Sequence, residues 1–227
     1  MIKRDKKMFE AIIRGLGGIT NPLIYKNDAQ ISGVAESSVA YGVKHQGEYT
    51  MADYYALPDE RRVELIDGEL YDMAAPTAEH QLILGELYMQ FRACAQAHGM
   101  PCRVFLSPCD VQLDSDDKTM VQPDLFVLCR DFDPKNRYII GAPDLTIEIL
   151  SDAAGPKDLI LKTYKYKNAG VCEYWIIDPA GKQVLVYDFS SEEIIPERFS
   201  FFDEIPVHIF DEKCVVDFGR ISRDLGL

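Results

Sequence analysis

Two acidic residues inside apolar, strand-like segments are the residues of this chain whose type and spacing best suit chemistry. Asp124 opens the run Asp-Leu-Phe-Val-Leu, and Glu148 lies within Leu145–Leu150. A carboxylate in a buried strand is costly unless it is paired, protonated or bound to a metal. Two such acids followed by a lysine, Lys162, can form a site for metal-assisted cleavage of a phosphodiester. We therefore expect Asp124 and Glu148 to bind Mg²⁺ or Mn²⁺, since both cations favour carboxylate oxygens.

The helix predicted after Glu148 carries a polar stripe that supplies this lysine. Asp158, Lys162 and Tyr166 follow one another at intervals of four residues, so they share one helical face. A lysine there can orient or deprotonate the attacking water, or offset charge developing on the phosphate. The alternative is a solvated face, with Asp158 and Lys162 in a surface ion pair of about 0.3 kcal/mol.

Three further residues are candidates for supporting roles. Glu64 and Glu69 flank a predicted hairpin turn at Asp67-Gly68, and either can supply a third carboxylate. His80, in the first turn of a predicted helix, is a proton carrier or phosphate contact in one interpretation and a structural histidine in the other. Each strand acid likewise has the alternative of being an isolated carboxylate at a strand edge.

Composition predicts a folded protein without membrane segments. The 227 residues are 47% hydrophobic, which supports a substantial core. No apolar run approaches the ~20 residues of a membrane span, and no apolar signal core follows the basic start, so we expect a cytoplasmic protein. The cysteines form no C-x-x-C pair and no cluster with zinc-ligand spacing, so we expect them to be reduced core residues. They are Cys94, Cys102, Cys109, Cys129, Cys172 and Cys214.

The charge distribution restricts how this chain can bind nucleic acid. The net charge is −13. Residues 1–50 contain seven basic and five acidic residues, whereas the remainder contains 17 basic and 32 acidic residues and has a net charge of −15. Because nucleic-acid binding needs a basic footprint, DNA or RNA would have to bind through a local patch, bound cations or a partner. The alternative is that the acidic excess only keeps the protein soluble.

The chain is predicted to consist of an N-terminal extension, residues 1–47, and one folded domain, residues 48–227. In the extension, Lys6–Leu16 is predicted to be a short helix, and Ile19–Gln46 to be poorly ordered or a docking arm.

The domain alternates predicted helices and strands, which indicates an α/β fold built on a mixed sheet. Thr77 is expected to cap a helix over Ala78–Ala97, and a second helix is expected from about Pro156 to Ala169. A hairpin over Glu173–Phe189 is expected to be exposed and to offer a surface for a homodimer. The other predicted strands are Arg62–Ile66, Glu69–Ala74, Cys102–Leu106, Cys109–Leu113, Asp124–Cys129 and Asp144–Leu150, with further β segments over Ile194–Val216.

From Tyr49 to about Phe189 the sequence closely resembles the Uma-two family of endonucleases, within the restriction-endonuclease-like PD-(D/E)XK superfamily. The motifs that carry the resemblance are specific as a set. They are Val63–Glu69, His80-Gln81, Gln122-Pro123-Asp124, Pro143–Ser151, Asp158-Leu159 with Lys162 and Tyr166, and Ala169–Pro179.

The resemblance implies a central mixed β-sheet flanked by helices and a divalent-metal-dependent nuclease site. Asp124 and Glu148 match the two acids of the family motif, and Glu64 matches an upstream acid. The lysine two residues after the second acid is absent, because Leu150 stands there. Lys162 matches a lysine displaced onto the following helix.

One departure from the family pattern weakens nucleic-acid binding. Relatives often have a basic stretch after the second acid, whereas Asp152–Lys157 contains a single lysine. Two alternatives to a DNA endonuclease therefore stay open: a non-catalytic interaction module with a nuclease fold, and a hydrolase of another phosphate ester.

Overall fold

The computed structural model describes residues 2–17, 44–58, 60–151, 156–191 and 194–227, without the side chains of residues 2–6, 9 and 156–158. Within these residues the largest sheet has six strands, in the order β11-β10-β9-β8-β6-β3. Its neighbouring strands are antiparallel except β8 and β9, which run parallel. The strands are β3 (Arg103–Leu106), β6 (Leu125–Leu128), β8 (Leu145–Ile149), β9 (Glu173–Asp178), β10 (Gln183–Asp188) and β11 (Glu197–Ser200).

A second sheet contains five short strands in the order β2-β1-β5-β4-β7. A separate hairpin pairs β12 (Glu204–Pro206) with β13 (Val215–Asp217). The strands of the second sheet are β1 (Val63–Ile66), β2 (Glu69–Asp72), β4 (Val111–Gln112), β5 (Met120–Val121) and β7 (Ile139–Ile140).

Helices cover both faces of the six-stranded sheet. On one face, α3 (Ala78–Ala97) and α5 (Phe218–Asp224) pack on the sheet and on β12 and β13. On the other face lie α1 (Ile2–Leu16) and α4 (Pro156–Ala169). The short helix α2 (Met51–Tyr54) packs on the second sheet. This arrangement confirms the predicted α/β fold with a mixed, helix-flanked sheet.

Strand alternation divides the core between these two faces. In β6, Leu125 and Val127 pack in the α3 layer, whereas Phe126 and Leu128 pack in the α1/α4 layer. All four side chains are fully buried, as expected for a strand that is covered on both faces. The same alternation determines the face of the sheet toward which a polar side chain on a neighbouring strand points.

The structure differs from the predicted elements where the sequence has no periodic signal. The bounds of α3 and α4 agree with prediction, and α1 begins at Ile2 rather than at Lys6. The two-residue strands β5 and β7 and the helix α5 were not predicted. Strands of two residues are too short to show alternation.

The prediction of an exposed hairpin over Glu173–Phe189 is wrong. Strands β9 and β10 are central in the sheet, and Tyr174, Trp175 and Leu185 are fully buried. Their continuous apolar character reflects cover on both faces, which leaves no hairpin surface there for a homodimer.

The helix of the N-terminal segment packs on the domain. Ile12 and Leu16 are buried in the same layer as α4, and Arg198 of β11 donates hydrogen bonds to the Gly15 and Gly17 carbonyls. Most of Ile19–Gln46 lies outside the described residues, so the expectation for that segment stays a prediction, as does the domain boundary. No helix among the described residues has the length and apolar character needed to cross a bilayer.

The prediction of six reduced cysteines is wrong for four of them. Cys94 is paired with Cys214, and Cys102 with Cys129, in disulfides. The second pair follows from strand register, because Arg103 of β3 pairs with Leu128 of β6 and the two cysteines come next on the two strands. Cys109 and Cys172 are free.

Candidate functional site

Register places the two strand acids side by side. Leu125 pairs with Ile147 in the antiparallel β6–β8 ladder, so Asp124 is directly opposite Glu148. Ile147 and Ile149 pack in the α3 layer, and Glu148 therefore points to the α4 layer, beside Ile176 of β9. The alternation of side chains along β8 thus directs the second acid toward the helix with the candidate lysine.

Asp124 is fixed by two hydrogen-bonding groups. Its Oδ2 accepts from the backbone N–H of Ile149 at 2.8 Å and lies 3.1 Å from Nε2 of His80. His80 is 7% exposed, and its Nδ1 is buried without a hydrogen-bond partner among the described residues. The Thr77 side chain caps α3 by accepting from the His80 backbone N–H, so the helix N-terminus aims this histidine at the acid.

Glu64 brings a third carboxylate from the second sheet. It is 3% exposed, and its Oε1 accepts from the Gln122 backbone N–H at 2.9 Å. The Gln122 side chain turns away from the acids and donates to the Tyr54 hydroxyl and to Asp110, each at 2.8 Å. Tyr54 and Asp110 were missed from the sequence, because no spacing signal links them to the acid motif.

Helix α4 closes the site with two side chains one turn apart. Nζ of Lys162 lies 2.7 Å from Glu64 Oε2 and 3.2 Å from Glu148 Oε1. The Tyr166 hydroxyl donates to the same Glu148 oxygen at 2.6 Å. Lys162 is only 7% exposed, so a surface ion pair on a solvated face is the wrong description of this residue.

A second lysine anchors α4 against the turns that flank the second sheet. Nζ of Lys165 donates hydrogen bonds to the carboxylates of Asp67, in the β1–β2 turn, and of Asp114, after β4. Because Lys165 comes three residues after Lys162, this anchor helps to set the rotation of the helix and thereby the direction of Lys162.

The structure separates Glu69 from this cluster and does not describe the Asp158 side chain. The contact that the structure gives Glu69 is with the Tyr71 hydroxyl, 2.8 Å away, so Glu64 is the hairpin acid that meets Lys162. Asp158 lies in α4, but its side chain is outside the described residues. Its predicted supporting role stays a prediction.

The cluster has more acid than base, which perturbs its central residue. Burial, together with the nearby Glu64 and Asp124, raises the pKa of Glu148 to about 8 against the opposing effects of Lys162 and of the Tyr166 hydrogen bond. Burial and the adjacent Glu148 also raise the pKa of Tyr166 well above its usual range, so its hydroxyl stays a proton donor. Three carboxylates against one lysine form a set of hard oxygen donors with excess negative charge, which fits a divalent cation.

A helix-flanked mixed sheet whose adjacent strands bring acids together defines the restriction-endonuclease-like class of fold. A family model, Uma2, described as "Putative restriction endonuclease", matches residues 51–211. The chain therefore belongs to the Uma2 (Uma-two) family, as its sequence motifs predict.

A solved structure supports the fold assignment. It is described as "a putative nuclease belonging to DUF820 from Anabaena variabilis ATCC 29413" and is similar to this chain with a TM-score of 0.64 and 23% sequence identity. The similarity covers 76% of this chain and 96% of that chain. No curated protein matched the chain.

The raised pKa of Glu148 predicts a pH-dependent stability for the metal-free protein. The folded state favours the protonated carboxyl, whose usual pKa is 4.5. That stabilising contribution is fully present below about pH 4.5 and is lost as the pH rises through about 8. Wild type should therefore lose stability relative to Glu148→Gln, which cannot ionise, between about pH 5 and about pH 9.

Thermal unfolding in a chelator measures this difference, and each 1 kcal/mol corresponds to about 2–4 °C in Tm for a chain of this size. Glu204→Gln, at an exposed position in β12, is the control. A Tm difference between wild type and Glu148→Gln that does not change with pH would contradict the assignment.

Proposed function

We propose that this protein is a divalent-metal-dependent endonuclease that hydrolyses phosphodiester bonds of nucleic acid, with DNA as the first candidate. The observation that carries the proposal is that Glu64 and Glu148, from two different sheets, converge on Lys162, with Asp124 directly opposite Glu148 on the neighbouring strand. Membership of the Uma2 family and the restriction-endonuclease-like fold support the same reaction class.

Asp124 and Glu148 are the proposed ligands of Mg²⁺ or Mn²⁺. The hydrogen bonds described above reach Oδ2 of Asp124 and Oε1 of Glu148, so the second oxygen of each carboxylate is the proposed ligand atom. When bound, such a cation lowers the pKa of a coordinated water and offsets negative charge on the phosphate.

The surrounding residues have proposed roles in positioning and charge. Tyr166 holds Glu148 by a hydroxyl hydrogen bond, and His80 with the Ile149 N–H holds Asp124, so both carboxylates are oriented before substrate arrives. Lys162 is proposed to orient the attacking water and to offset charge on the phosphate. Glu64, fixed by the Gln122 N–H, keeps the lysine ammonium in the site.

The acidic body means that nucleic acid must bind through a local surface around this site. Because nonspecific affinity and its salt dependence both scale with the number of phosphates that basic groups neutralise, weak binding with a shallow salt dependence is expected. A bound cation supplies part of the positive charge that the chain lacks, so binding should depend on metal. The two remaining candidates are hydrolysis of a smaller phosphate ester and a non-catalytic role, and both are outcomes of the experiments below.

Metal-dependent cleavage by the wild type is the first prediction. Of single- and double-stranded DNA and RNA, DNA is the first candidate and should be cut with Mg²⁺ or Mn²⁺ and left intact in a chelator. Glu148→Ala and Lys162→Ala should each lower the rate by about 100-fold or more, because they remove a ligand and the charge beside the reacting phosphate. Gel analysis of end-labelled substrates measures the rates.

Two substitutions outside the site are matched controls for this assay. Glu204→Ala removes an exposed acid on β12, and Lys167→Ala removes a lysine one turn and a residue beyond Lys162. Both should keep wild-type rates. Equal activity in wild type, Glu148→Ala and Lys162→Ala would overturn the catalytic assignment, whereas cleavage restricted to a small phosphodiester would favour the phosphate-ester hydrolase.

The affinity for Mn²⁺ distinguishes the proposed metal ligands from Lys162. Asp124→Ala should weaken Mn²⁺ binding at least about tenfold, because it removes a proposed ligand. Lys162→Ala should bind Mn²⁺ as tightly as wild type or more tightly, since it removes a positive charge next to the cation. Isothermal titration calorimetry measures both, and Mn²⁺ binding that does not depend on Asp124, or no binding at all, would favour the non-catalytic module.

A further inference from the structure

A second group of metal-ligating side chains lies at the C-terminal end of α3. Cys94, His98 and Cys214 each offer one ligand atom, and these atoms all lie within 4.8 Å of one another. Cys94 and His98 are four residues apart at the end of the helix, whereas Cys214 comes just before β13, 120 residues after Cys94. Sequence spacing shows only the first two, which is why no zinc-ligand pattern was found in the sequence.

The scaffold holds these residues together by contacts other than the bond between the two sulfurs. One turn before Cys94, the Gln90 side chain donates to the Asp217 carbonyl at 3.0 Å and accepts from the Asp217 N–H at 2.7 Å. The Cys214 carbonyl accepts from the Val207 N–H at 2.9 Å. The Gln90 bonds tie α3 to β13 one turn before Cys94, and the Val207 N–H fixes Cys214 beside the β12–β13 hairpin, so the residues should stay adjacent when the disulfide is reduced.

The Cys94 and Cys214 sulfurs can either form the disulfide or bind a metal ion, but not both at once. In the oxidised state that the structure shows, neither sulfur is a thiolate. A dithiol reductant transfers two electrons and two protons to the pair, becomes a disulfide itself, and leaves Cys94 and Cys214 as thiols. A divalent cation that then binds displaces both thiol protons to solvent.

The donor set matches a zinc-class cation, and so does the spacing of the Cys94 and His98 ligand atoms. Zn²⁺ bonds of about 2.3 Å to sulfur and about 2.0–2.1 Å to nitrogen give a tetrahedral sulfur–nitrogen separation of about 3.5 Å. Nδ1 of His98 lies 3.4 Å from Sγ of Cys94. Two thiolates and an imidazole are softer donors than the carboxylates around Lys162, so the two sites should take different metals.

We propose that Cys94, His98 and Cys214 bind one Zn²⁺-class cation when the Cys94–Cys214 disulfide is reduced. Water or an external ligand completes the tetrahedron, as at Cys₂His sites with one open position. His98 is exposed, which gives the cation access, while the buried Cys214 fixes it to the fold. The metal thus replaces the covalent link between α3 and β13 under reducing conditions.

Cobalt binding to the full-length chain tests the proposal without any activity assay. The protein is reduced with dithiothreitol, freed of it without oxygen, and titrated with Co²⁺, whose thiolate complexes absorb by ligand-to-metal charge transfer. Reduced wild type should bind one Co²⁺ at this site, detected by a charge-transfer band that Zn²⁺ removes, and oxidised protein should show no band. Absence of the band in reduced wild type would overturn the proposal.

Variants assign the ligands. Cys214→Ser should lose most of the charge-transfer absorption, and His98→Ala should weaken Co²⁺ binding at least about tenfold. His98 is exposed, so its variant keeps the test decisive even if Cys214→Ser fails to fold. Cys172→Ser, at an exposed free cysteine, is the matched control and should bind as wild type does. Unchanged Co²⁺ affinity in His98→Ala, or an equal band in Cys214→Ser, would overturn the assignment.

Discussion

The site depends on one buried cation, the Lys162 ammonium, held between two carboxylates from different sheets. Glu64 lies on the five-stranded sheet and Glu148 on the six-stranded sheet, and Lys162 reaches both from α4. A buried charge that loses its partner costs about 3–5 kcal/mol, so these residues restrict each other strongly. The ion pairs therefore fix the relation of both sheets to the helix at the point where the proposed chemistry takes place.

The same arrangement leaves negative charge in excess. The one ammonium contacts Glu64 and Glu148, and Asp124 adds a third acid beside Glu148. The pKa of Glu148 is raised to about 8, because burial and its acidic neighbours disfavour ionisation. A bound divalent cation would reverse this balance and favour the ionised carboxylate. Protonation of Glu148 in the metal-free protein and metal binding in the loaded protein thus both reduce the excess negative charge of the site. The same charge balance therefore affects the stability of the fold and its proposed function.

Local sequence patterns predicted those elements of the fold that interactions between neighbouring residues determine. The Thr77 cap and Gly99, with a positive φ of 60°, bound α3 where the sequence placed its ends. The two strand acids were identified because a carboxylate in an apolar run is unusual whatever surrounds it. The two-residue strands β5 and β7 exist only through their pairing partners, so no local pattern could reveal them.

Tertiary packing decided what the sequence left open. Glu64 and Glu69 are equivalent by spacing, and only the tertiary structure, which brings Lys162 of α4 to Glu64, distinguishes them. The surface alternative for Lys162 failed for the same reason, because the face of α4 that carries it is covered by the two sheets. Cys94 and Cys214 meet across 120 residues, so the expectation of unpaired cysteines could not anticipate their contact.

The central claim is that Asp124 and Glu148 form one metal site beside Lys162. Crystals grown with Mn²⁺ and measured near the manganese absorption edge test it most directly. The account predicts an anomalous-difference peak within coordination distance of one oxygen from each carboxylate, with Lys162 still adjacent to Glu148. A map without a peak between these two acids, at a Mn²⁺ concentration that saturates binding in solution, would contradict it.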